Sequence, residues 1–373
     1  MKRHVISPRI KFQKTVEEQG LIWHTGQKPY WHESAYYSFT SAQVEQLEIA
    51  TEAAHEMFVT AGEHLVNNPR VLVDMFGIPE RFIQPLIDSW NSDGPCLNYG
   101  RFDFGYDGIN PPKLFEYNCD TPTSMLEAGV IQWKWKEDRF PNHDQFNSLH
   151  EQMVNAYRQL PFSHMTFAGI DDGSGEDAVT VGYHMDLADE AGITPHAIDI
   201  ADVGFDRLNN QFVDLDNNYI DCIFKLYPWE WMVNEEFGYN AVTSSTLWLE
   251  PVWKMMWSNK AILPVLWHLF PNSPYLLEAS FDPLVGDHVK KPILAREGAN
   301  VEIVRSGSVV ESTGGYYGGP CVYQALYNLP EFDKLYPVIG SWCVNGYSAG
   351  IGIREAGLIT DNTAQFTPHI IEN

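Results

Sequence analysis

The chain has 373 residues, 44% of them hydrophobic and 20% charged, a composition typical of a folded protein of two or three domains and unlike that of a disordered or fibrous chain. Its 24 basic and 49 acidic residues give a formal net charge of −25, which repels phosphate backbones and anionic lipids and therefore argues against nucleic-acid and membrane partners. Because the sequence has no apolar segment of signal-peptide or membrane-spanning length, it predicts a cytoplasmic protein.

The five cysteines are scattered and show no C-x-x-C spacing, so the sequence predicts neither a disulfide framework nor a zinc site. Cys119 lies among polar residues, where a nucleophile is one interpretation. Because no histidine or basic residue stands beside it to lower its pKa, we interpret Cys119 as a small buried residue that fills space.

Residues 1–98 predict a helical and covering segment. Residues 1–40 are rich in aromatic residues and helix breakers, which indicates an irregular covering stretch. Thr40 and Gln43 then form a predicted capping box, after which apolar residues recur at the spacing of a long amphipathic helix. A second helix is predicted over residues 79–90, and we interpret both helices as scaffold.

Residues 99–129 carry the pattern around which we interpret the rest of the chain. Two short alternating runs, 100–104 and 113–118, are separated by the turn-forming residues 107–112, which predicts a β-hairpin. Because strand side chains alternate between faces, such a hairpin would bring one cation and three oxygen-bearing side chains onto a single patch. These side chains are Arg101, Asp103, Glu116 and Asn118.

Two carboxylates and a carboxamide suit a hard octahedral cation such as Mg²⁺, which keeps some of its water and binds substrate phosphates. The alternative interpretation is a solvated strand face. The next residues favour a site, because 118–124 are dense in hydroxyl and carboxylate groups and lead into a predicted helix that carries Glu127.

Residues 147–227 predict helices and strands in a β-α-β rhythm, which indicates an open α/β layer with a parallel sheet. The acidic loop 171–177, which ends in Glu176 and Asp177, follows a predicted strand and precedes a predicted helix. Loops at that position contact ligands in such sheets. The negative charge of this loop suits an ammonium group or a backbone amine rather than a phosphate.

From Tyr227 onward the chain is rich in tryptophan and proline, which we interpret as core. Lys260 is the exception, because a lone ammonium group before an apolar helical run is costly to bury without an anionic partner. The two interpretations are a lysine with such a partner and a lysine whose ammonium group extends to solvent.

Residues 289–304 predict a second hairpin, with Lys291 and Arg296 on its first strand and a glycine-containing turn at 297–300. Basic groups on a strand beside backbone amides in a turn can enclose a polyphosphate. The pattern is weaker than a Walker sequence, and neither that motif nor the dinucleotide-binding glycine motif occurs.

The last quarter of the chain adds two further candidates. After the glycine-rich tether 314–320, the short strand 322–326 is of the kind that offers backbone groups to an adenine edge. Arg354 ends a glycine-rich predicted strand that spans 340–355. An arginine there would form a carboxylate fork, clamp a phosphate or make a surface salt bridge.

Five motifs occur in order between about Trp23 and the C-terminus: RFDF…EYNCDTPTSMLEAG, SNKAILPVLWHLFPNSPYLL, KKPILAREGANV, VYQALYNLP and GSWCVNGYSAGIGIRE…ITDN. Together they resemble the glutathionylspermidine synthase family, at the synthetase domain with its ATP-grasp fold. Five ordered motifs are much more specific than any one of them. The length of the chain implies a stand-alone synthetase domain, without the amidase domain of bifunctional members.

The resemblance implies an α/β fold of α+β layers, in which an ATP-grasp fold of permuted order is joined to an open α/β layer like that of pre-ATP-grasp proteins. The order is permuted because the implied magnesium ligands precede the implied ATP lysines. We expect a helical and covering segment at 1–98, a magnesium- and substrate-binding α/β region at 99–230, and an ATP-binding lid with the C-terminal ATP-grasp region at 231–373.

The resemblance also implies roles for individual residues. The ligands of Mg²⁺ would be Asp103, Glu116 and Asn118. ATP would be contacted by Arg101, Phe102, Asp103, Lys260, Lys291, Glu297, Gly298, Gln324, Ala325 and Leu326. The catalytic arginines, which stabilise the transferring phosphoryl group, would be Arg101 and Arg354. The peptide substrate would be contacted by Thr121, Glu176 and Asp177.

The activity implied is that of an ATP-dependent carboxylate–amine ligase that forms an amide bond through an acyl phosphate, with ATP and Mg²⁺ as cofactors. Its partners would be a small-molecule or short-peptide carboxylate, with glutathione as one candidate, and an amine such as a polyamine. Two departures from the synthase leave the carboxylate open. Pro122 stands where the synthase has a small residue, and Trp229 to Trp231 (WEW) place an indole where it has a small hydroxyl residue.

Two alternative functions stay open. A non-catalytic ATP-binding or partner protein would keep the fold, but it would be expected to have lost some of the site residues, and all of them are present. A kinase of a small carboxylate or hydroxyl compound would differ from the ligase only in that no amine enters.

Overall fold

The computed structural model describes residues 1–25, 29–92, 94–170, 173, 175–315, 318–361 and 363–372. Its helices are α1 (Phe12–Glu17), α2 (Ser41–Asn67), α3 (Pro69–Asp74), α4 (Glu80–Trp90), α5 (Gln132–Arg139), α6 (Leu149–Arg158), α7 (Glu176–Glu190), α8 (Trp229–Met232), α9 (Gly238–Ala241), α10 (Lys254–Trp257) and α11 (Ile262–Leu269). A π-helical turn covers Glu127–Ile131 and a 3-10 turn Ile200–Asp202.

The strands are β1 (Lys2–Val5), β2 (Ala35–Phe39), β3 (Tyr99–Gly105), β4 (Lys113–Asn118), β5 (His164–Gly169), β6 (Thr194–Asp199), β7 (Gly204–Asp206), β8 (Gln211–Val213), β9 (Cys222–Lys225), β10 (Leu247–Leu249), β11 (Ala279–Ser280), β12 (His288–Pro292), β13 (Glu302–Arg305), β14 (Ser308–Ser312), β15 (Cys321–Ala325), β16 (Tyr336–Val344), β17 (Tyr347–Ala356), β18 (Gln365–Thr367) and β19 (His369–Ile371).

The sheet that carries the candidate site has five antiparallel strands in the order β18-β17-β16-β3-β4. The predicted hairpin over 99–118 is confirmed as β3 and β4, and β16 pairs with the other edge of β3. Helix α2 packs against β16 and β17, and its predicted inward face is confirmed. The buried residues on that face include Val44, Leu47, Ala50, Ala54, Met57, Ala61 and Leu65.

A second sheet has four parallel strands in the order β10-β9-β5-β6, and α7 packs against β5 and β6. This confirms the predicted open α/β layer. The helix begins one residue after Gly175, which adopts φ of +83°, a conformation that glycine reaches without strain. Asp171, Asp172 and Ser174 of the predicted acidic loop lie outside the described residues.

A third sheet, β11-β15-β12-β13-β14, is antiparallel throughout. The predicted hairpin over 289–304 is confirmed in the pairing of β12 with β13, but β12 ends at Pro292 and Arg296 lies in the connection. The chain leaves the extended conformation there, because Glu297, Gly298 and Asn300 all have positive φ. The predicted strand at 322–326 is confirmed as β15; Tyr316 and Tyr317 of the preceding tether lie outside the described residues.

The prediction that residues 1–40 form an irregular stretch is wrong in part. Strand β1 pairs antiparallel with β2, and β19 pairs parallel with the other edge of β2. The partner β19 lies at the far end of the chain, so no turn pattern near β2 announces the pairing.

The glycine-rich stretch 340–355, which we expected to be one strand, is a hairpin. Strands β16 and β17 reverse at Asn345 and Gly346, which both have positive φ, at 52° and 85°. Asn-Gly between apolar residues is a strong signal for a two-residue turn, so the sequence itself carries the mark of this hairpin.

The described residues form two hydrophobic clusters, one around α2 and the other around α6 and β5. The central sheet joins strands from 99–118 to strands beyond residue 336, while the boundaries expected at 98 and 230 stay predictions. Within the described ranges, no helix has the length and apolar character that crossing a bilayer requires.

Candidate active site

The predicted patch on the hairpin is present. In the register of β3 and β4, Arg101 stands opposite Asn118 and Asp103 opposite Glu116, so all four side chains share one face. The alternate residue Phe102 points the other way, where its ring stacks on Tyr117 with centroids 3.7 Å apart. Its side chain is fully buried, so any contact that Phe102 makes to a nucleotide would come from its backbone.

Asp103 lies between two arginines. The Nε of Arg101 donates to its Oδ1 at 2.8 Å, and the Nη2 of Arg354 donates to its Oδ2 at 2.5 Å. Arg101 also donates through Nη1 to the backbone carbonyl of Thr123 at 2.7 Å, and Asp103 raises its pKa against the opposing effect of burial. Among the contacts considered for Arg354, the structure shows the one to a carboxylate, and that carboxylate is Asp103 of the predicted patch.

Gly340 of β16 makes room for Arg101. A Cβ atom at Gly340 would lie 2.7 Å from Cδ of Arg101 and 3.2 Å from its Cγ, well inside van der Waals contact. Gly340 pairs with Asp103 across the sheet, so the glycine lets the arginine lie flat against its carboxylate partner. Steric space for Arg101 therefore explains why glycine stands at position 340 of the GSWCVNGYSAGIGIRE motif.

Lys260 has the anionic partner that we considered for it. Its Nζ lies 3.1 Å from Oε2 of Glu116 and donates to the carbonyl oxygen of Ala295 at 2.6 Å. Burial alone would raise the pKa of Glu116, but the ammonium groups of Lys260 and Lys291 hold it at about 2. Glu116 is therefore ionised at neutral pH.

Lys291 is buried on β12, next to the hairpin. Its Nζ donates to Oε1 of Gln324 at 2.7 Å and to the carbonyl oxygen of Phe115 at 3.2 Å. Burial lowers its pKa to about 8, although the charge of Glu116 opposes that shift. The Nε2 of Gln324 in turn donates to the carbonyl oxygen of Leu114, which joins the third sheet to β4.

The site residues combine four cationic side chains with two carboxylates in a chain whose net charge is −25. Such a local excess of positive charge favours a polyanionic ligand. The four cations are Arg101, Arg354, Lys260 and Lys291.

The oxygen donors of the patch fit Mg²⁺ by chemistry. Asn118 lies between the carboxylates, with its Nδ2 3.3 Å from Oδ2 of Asp103 and 3.4 Å from Oε1 of Glu116, and half a turn of the amide would present Oδ1 instead. Across the described part of the chain, no three His, Cys, Asp or Glu side chains gather at a potential metal site. A site here depends on the amide as its third protein ligand.

The other residues implied to bind ATP lie on the third sheet. Glu297 and Gly298 form the turn after β12, where a Cβ at Gly298 would lie 2.6 Å from the carbonyl oxygen of Thr360. The backbone amides of Ala325 and Leu326 donate to the backbone carbonyl oxygens of Glu278 and Asp287, respectively. An adenine edge would therefore meet their carbonyl oxygens or displace one of these bonds.

A second group of contacts surrounds Thr121. Arg296 donates from Nη1 to its hydroxyl at 3.1 Å and from Nε to Oε1 of Glu230 at 3.0 Å, and its guanidinium lies 5.5 Å from the ring centre of Trp231. Glu230 was given no role from the sequence. The sequence does carry a signal for it, because Glu230 stands between Trp229 and Trp231 and a charge in aromatic surroundings needs a charged or hydrogen-bonding partner.

Glu176 and Asp177 occupy the first turn of α7. Burial and the negative charges of Glu127 and Glu176 raise the pKa of the Tyr30 hydroxyl well above its usual range. The hydroxyl donates to Oε1 of Glu127 at 2.6 Å and lies 3.3 Å from Oγ of Ser124, which follows Thr123. Tyr30 was not singled out, because the surrounding aromatic stretch gave no periodicity.

Cys119 is fully buried, as expected, with Sγ 3.3 Å from Oγ of Ser258. Burial raises its pKa to about 12. A thiol with that pKa is protonated at neutral pH, which agrees with a packing role.

A family model described as glutathionylspermidine synthase preATP-grasp matches residues 3–372. The chain belongs to this family. The resemblance seen in the five ordered motifs is thereby confirmed.

Named relatives agree with the family. A Haemophilus influenzae protein named as an acid–amine ligase is 38% identical over 359 residues, which cover 91% of this chain and 90% of that protein. The trypanothione synthetase of Crithidia fasciculata is 29% identical over 81% of this chain, and the bifunctional glutathionylspermidine synthetase/amidase of Escherichia coli is 27% identical over 90%. The chain spans 51% and 59% of the lengths of those two proteins.

Among solved structures, a glutathione synthetase-like effector from Globodera pallida in its apo form has a TM-score of 0.58 over 98% of both chains, at 10% identity. At that identity the likeness concerns the fold alone, which is a mixed α/β fold of the glutathione synthetase-like kind. As a member of the glutathionylspermidine synthase family, the chain is an ATP-dependent ligase.

Proposed function

We propose that the chain joins a carboxylate to an amine, at the expense of ATP, through an acyl phosphate. The observation that supports this most directly is Asp103, which is bound by guanidinium groups from β3 and β17 on the face that also carries Glu116 and Lys260. Carboxylates that can hold a cation and cations that can hold phosphates meet on this face. That pairing is what phosphoryl transfer from a nucleotide requires.

In this proposal Asp103, Glu116 and Asn118 hold Mg²⁺, which when bound neutralises charge on the phosphates. Lys260 and Lys291 hold the β- and γ-phosphates. The turn at Glu297 and Gly298 covers the phosphates, and the segment Gln324 to Leu326 lies along the adenine. The magnesium ligands precede the lysines in the chain, so we propose an ATP-grasp arrangement of permuted order.

The reaction has two steps. A carboxylate oxygen of the substrate attacks the γ-phosphorus and ADP leaves, while Arg101 and Arg354 offset the charge that develops on the phosphoryl oxygens. The amine nitrogen then attacks the acyl carbon, inorganic phosphate leaves, and the nitrogen gives up a proton to form the amide. Because acyl phosphates hydrolyse, closure of the turn over the phosphates would protect the intermediate from water.

The relatives named after glutathionylspermidine and trypanothione suggest a peptide carboxylate and a polyamine as substrates. Thr121, with Glu176 and Asp177, would contact the peptide. Trp231, part of the WEW departure from the synthase, is 38% exposed, and its ring lies 5.5 Å from the guanidinium of Arg296, which also donates to the hydroxyl of Thr121. A smaller or differently shaped carboxylate than glutathione fits this departure, so the proposal extends to other carboxylates.

The test is Mg²⁺-dependent release of ADP by the purified protein, with a panel of carboxylates and amines that includes glutathione and spermidine. We expect release to require one member of each class, and to fall at least about 100-fold in Asp103→Ala and Arg354→Ala. Arg70→Ala is the matched control, because Arg70 forms an exposed ion pair with Asp74.

Other outcomes would contradict the proposal. ADP release that needs a carboxylate but no amine, with a stable phosphorylated product, would identify a kinase. ATP binding without turnover by any pair, unchanged in Asp103→Ala, would reject the metal site and favour a binding protein.

A further inference from the structure

Glu355 follows the proposed catalytic Arg354 on β17 and points to the opposite face of the strand. Successive side chains of a strand alternate between faces, so Arg354 reaches Asp103 while Glu355 enters the interior behind the sheet. The side chain of Glu355 is fully buried. The role that we proposed for Arg354 does not use this neighbour.

Four donors from three other segments hold the buried carboxylate. Arg3 of β1 donates a fork, from Nε to Oε1 at 2.6 Å and from Nη2 to Oε2 at 3.2 Å. The hydroxyl of Tyr37 on β2 donates to Oε1 at 2.5 Å, and that of Thr367 on β18 donates to Oε2 at 3.0 Å. Each carboxylate oxygen therefore accepts two hydrogen bonds, and together these four bonds fix the side chain of Glu355 in place.

Arg354, by contrast, is held loosely at its guanidinium. Its Nη2 binds Asp103, but its buried Nε has no hydrogen-bond partner within the described residues. The side chain is 21% exposed. With so few contacts of its own, the arginine depends on the backbone of β17 for its position.

We propose that the clamp formed by Arg3, Tyr37 and Thr367 on Glu355 positions Arg354 for the γ-phosphoryl group, which makes Glu355 and Arg3 positioning residues of the ligase. The inference rests on the proposed function, since it needs Arg354 to meet that phosphate. It assigns the N-terminal strand a part in catalysis, although β1 lies outside the site.

The ionisation of Glu355 fits this role. Burial would raise its pKa, but the nearby imidazole of His32 and the hydrogen bonds from Arg3 and Tyr37 hold it at about 2. Nδ1 of His32 lies 3.7 Å from Oε2, and Asp333 lies 3.3 Å from Arg3 on the far side of the fork. The carboxylate therefore keeps its charge, and its clamp, throughout the pH range of an ordinary assay.

The test compares the affinities of a non-hydrolysable ATP analogue and of ADP, measured calorimetrically with Mg²⁺, because their ratio reports contact with the γ-phosphate without any knowledge of the other substrates. We expect Glu355→Gln and Arg3→Met to lower the ratio about three- to tenfold and to leave ADP affinity unchanged. Tyr37→Phe, which removes one donor and keeps the ring, should lower it less.

Glu33→Gln is the matched control. Glu33, in the N-terminal segment that also contains Arg3, is a second buried carboxylate held by an arginine. Nη2 of Arg9 donates to its Oε1 at 2.6 Å, and Nε1 of Trp31 donates to the same oxygen. A loss of stability without a change in the affinity ratio is expected there. The positioning role would be rejected if Glu355→Gln and Tyr37→Phe also lost stability without a change in the affinity ratio while Arg354→Ala lowered that ratio.

One comparison separates this inference from the proposed function. An unchanged ratio in Arg354→Ala would reject the role of Arg354 and the inference with it. A lowered ratio in Arg354→Ala, with an unchanged ratio in Arg3→Met and Glu355→Gln, would reject the clamp and leave the proposed function standing.

Discussion

Lys291 illustrates how burial prepares a single residue for a polyanion. Its ammonium group is bound by Gln324 and by a backbone carbonyl, and its pKa is about 8, so a substantial fraction of the free enzyme carries the neutral amine under mildly alkaline conditions. The phosphates of ATP would favour the charged form. Binding is then coupled to protonation.

At pH 8 we therefore expect ATP binding to take up about half a proton, and at pH 6, where Lys291 is already charged, close to none. Isothermal titration calorimetry in buffers of different ionisation enthalpy measures the uptake. Lys291→Met should abolish it. Lys290→Met should not, because Lys290 is only partly buried, is paired with Glu302 and has a raised pKa. Undiminished uptake in Lys291→Met would place the proton elsewhere.

The lowered pKa of Lys291 also determines whether its contribution to the free energy of unfolding rises or falls with pH. A lysine whose pKa falls on folding binds fewer protons in the native state than in the unfolded state between about pH 8 and its model value of 10.5. The free energy of unfolding contributed by Lys291 therefore rises with pH across that window, opposite to the usual lysine that gains a partner.

Single residues were predictable from sequence where a local physical conflict marked them. A lysine beside an apolar run needs either an anionic partner or a path to solvent, and Lys260 has the partner in Glu116. Glu355 raised no such conflict, because charged residues beside an arginine are ordinary in sequence. Its importance comes from Arg3 and Thr367, which only the folded chain brings to it.

At the scale of elements, patterns confined to a few residues were predicted correctly. The capping box of α2 is present, since the hydroxyl of Thr40 accepts from the backbone amide of Gln43 and the Gln43 side chain accepts from the amide of Thr40. The β3–β4 hairpin and its shared polar face likewise follow from alternation and one turn, whereas the irregularity in its register between Asp103 and Phe104 has no signal in the sequence. Strands β1 and β2 are not predictable from local sequence, because the small sheet that they form also requires β19 at the far end of the chain.

The cap gives a prediction for α2. Thr40→Ala removes the acceptor for one otherwise unpaired amide at the start of the helix and should lower the free energy of unfolding by about 1 kcal/mol. Chemical denaturation measures the change. Thr60→Ala is the control, because Thr60 is an exposed mid-helix residue bonded to the carbonyl oxygen of Glu56, and there the better helix former should cost nothing. Equal losses in the two variants would contradict a capping role.

At the scale of the whole molecule, a buried ion pair joins the parallel sheet to the segment that follows the central sheet's β4. Lys225 ends β9, and its Nζ lies 2.5 Å from Oδ1 of Asp120, two residues beyond β4, while the backbone amide of Trp229 donates to Oδ2 at 2.8 Å. Lys225 is fully buried and Asp120 is 3% exposed. Thr121 is therefore held at the carboxyl edge of the parallel sheet.

Lys225→Met should destabilise the protein by about 3–5 kcal/mol, because it leaves Asp120 buried without its counter-charge. The double variant Asp120→Asn with Lys225→Met should recover most of that loss, since the uncharged carboxamide that replaces the carboxylate can still accept from the amide of Trp229. Urea denaturation of the four members of the cycle measures the coupling. A double variant as unstable as the single one would mean that Lys225 acts through packing alone.

The pairing of β3 with β16 also orders events in time. A ribosome delivers β3 and β4 well before Tyr336, where β16 begins, and at about 5–20 residues per second the interval is about 10–40 s. A two-stranded hairpin is only marginally stable in water, so for that time the nascent chain exposes the edge of β3 and an acidic face that lacks Arg354. We therefore expect chaperones that shield strand edges to raise the yield of active enzyme most when elongation is slow, because the edge of β3 is then exposed for longest.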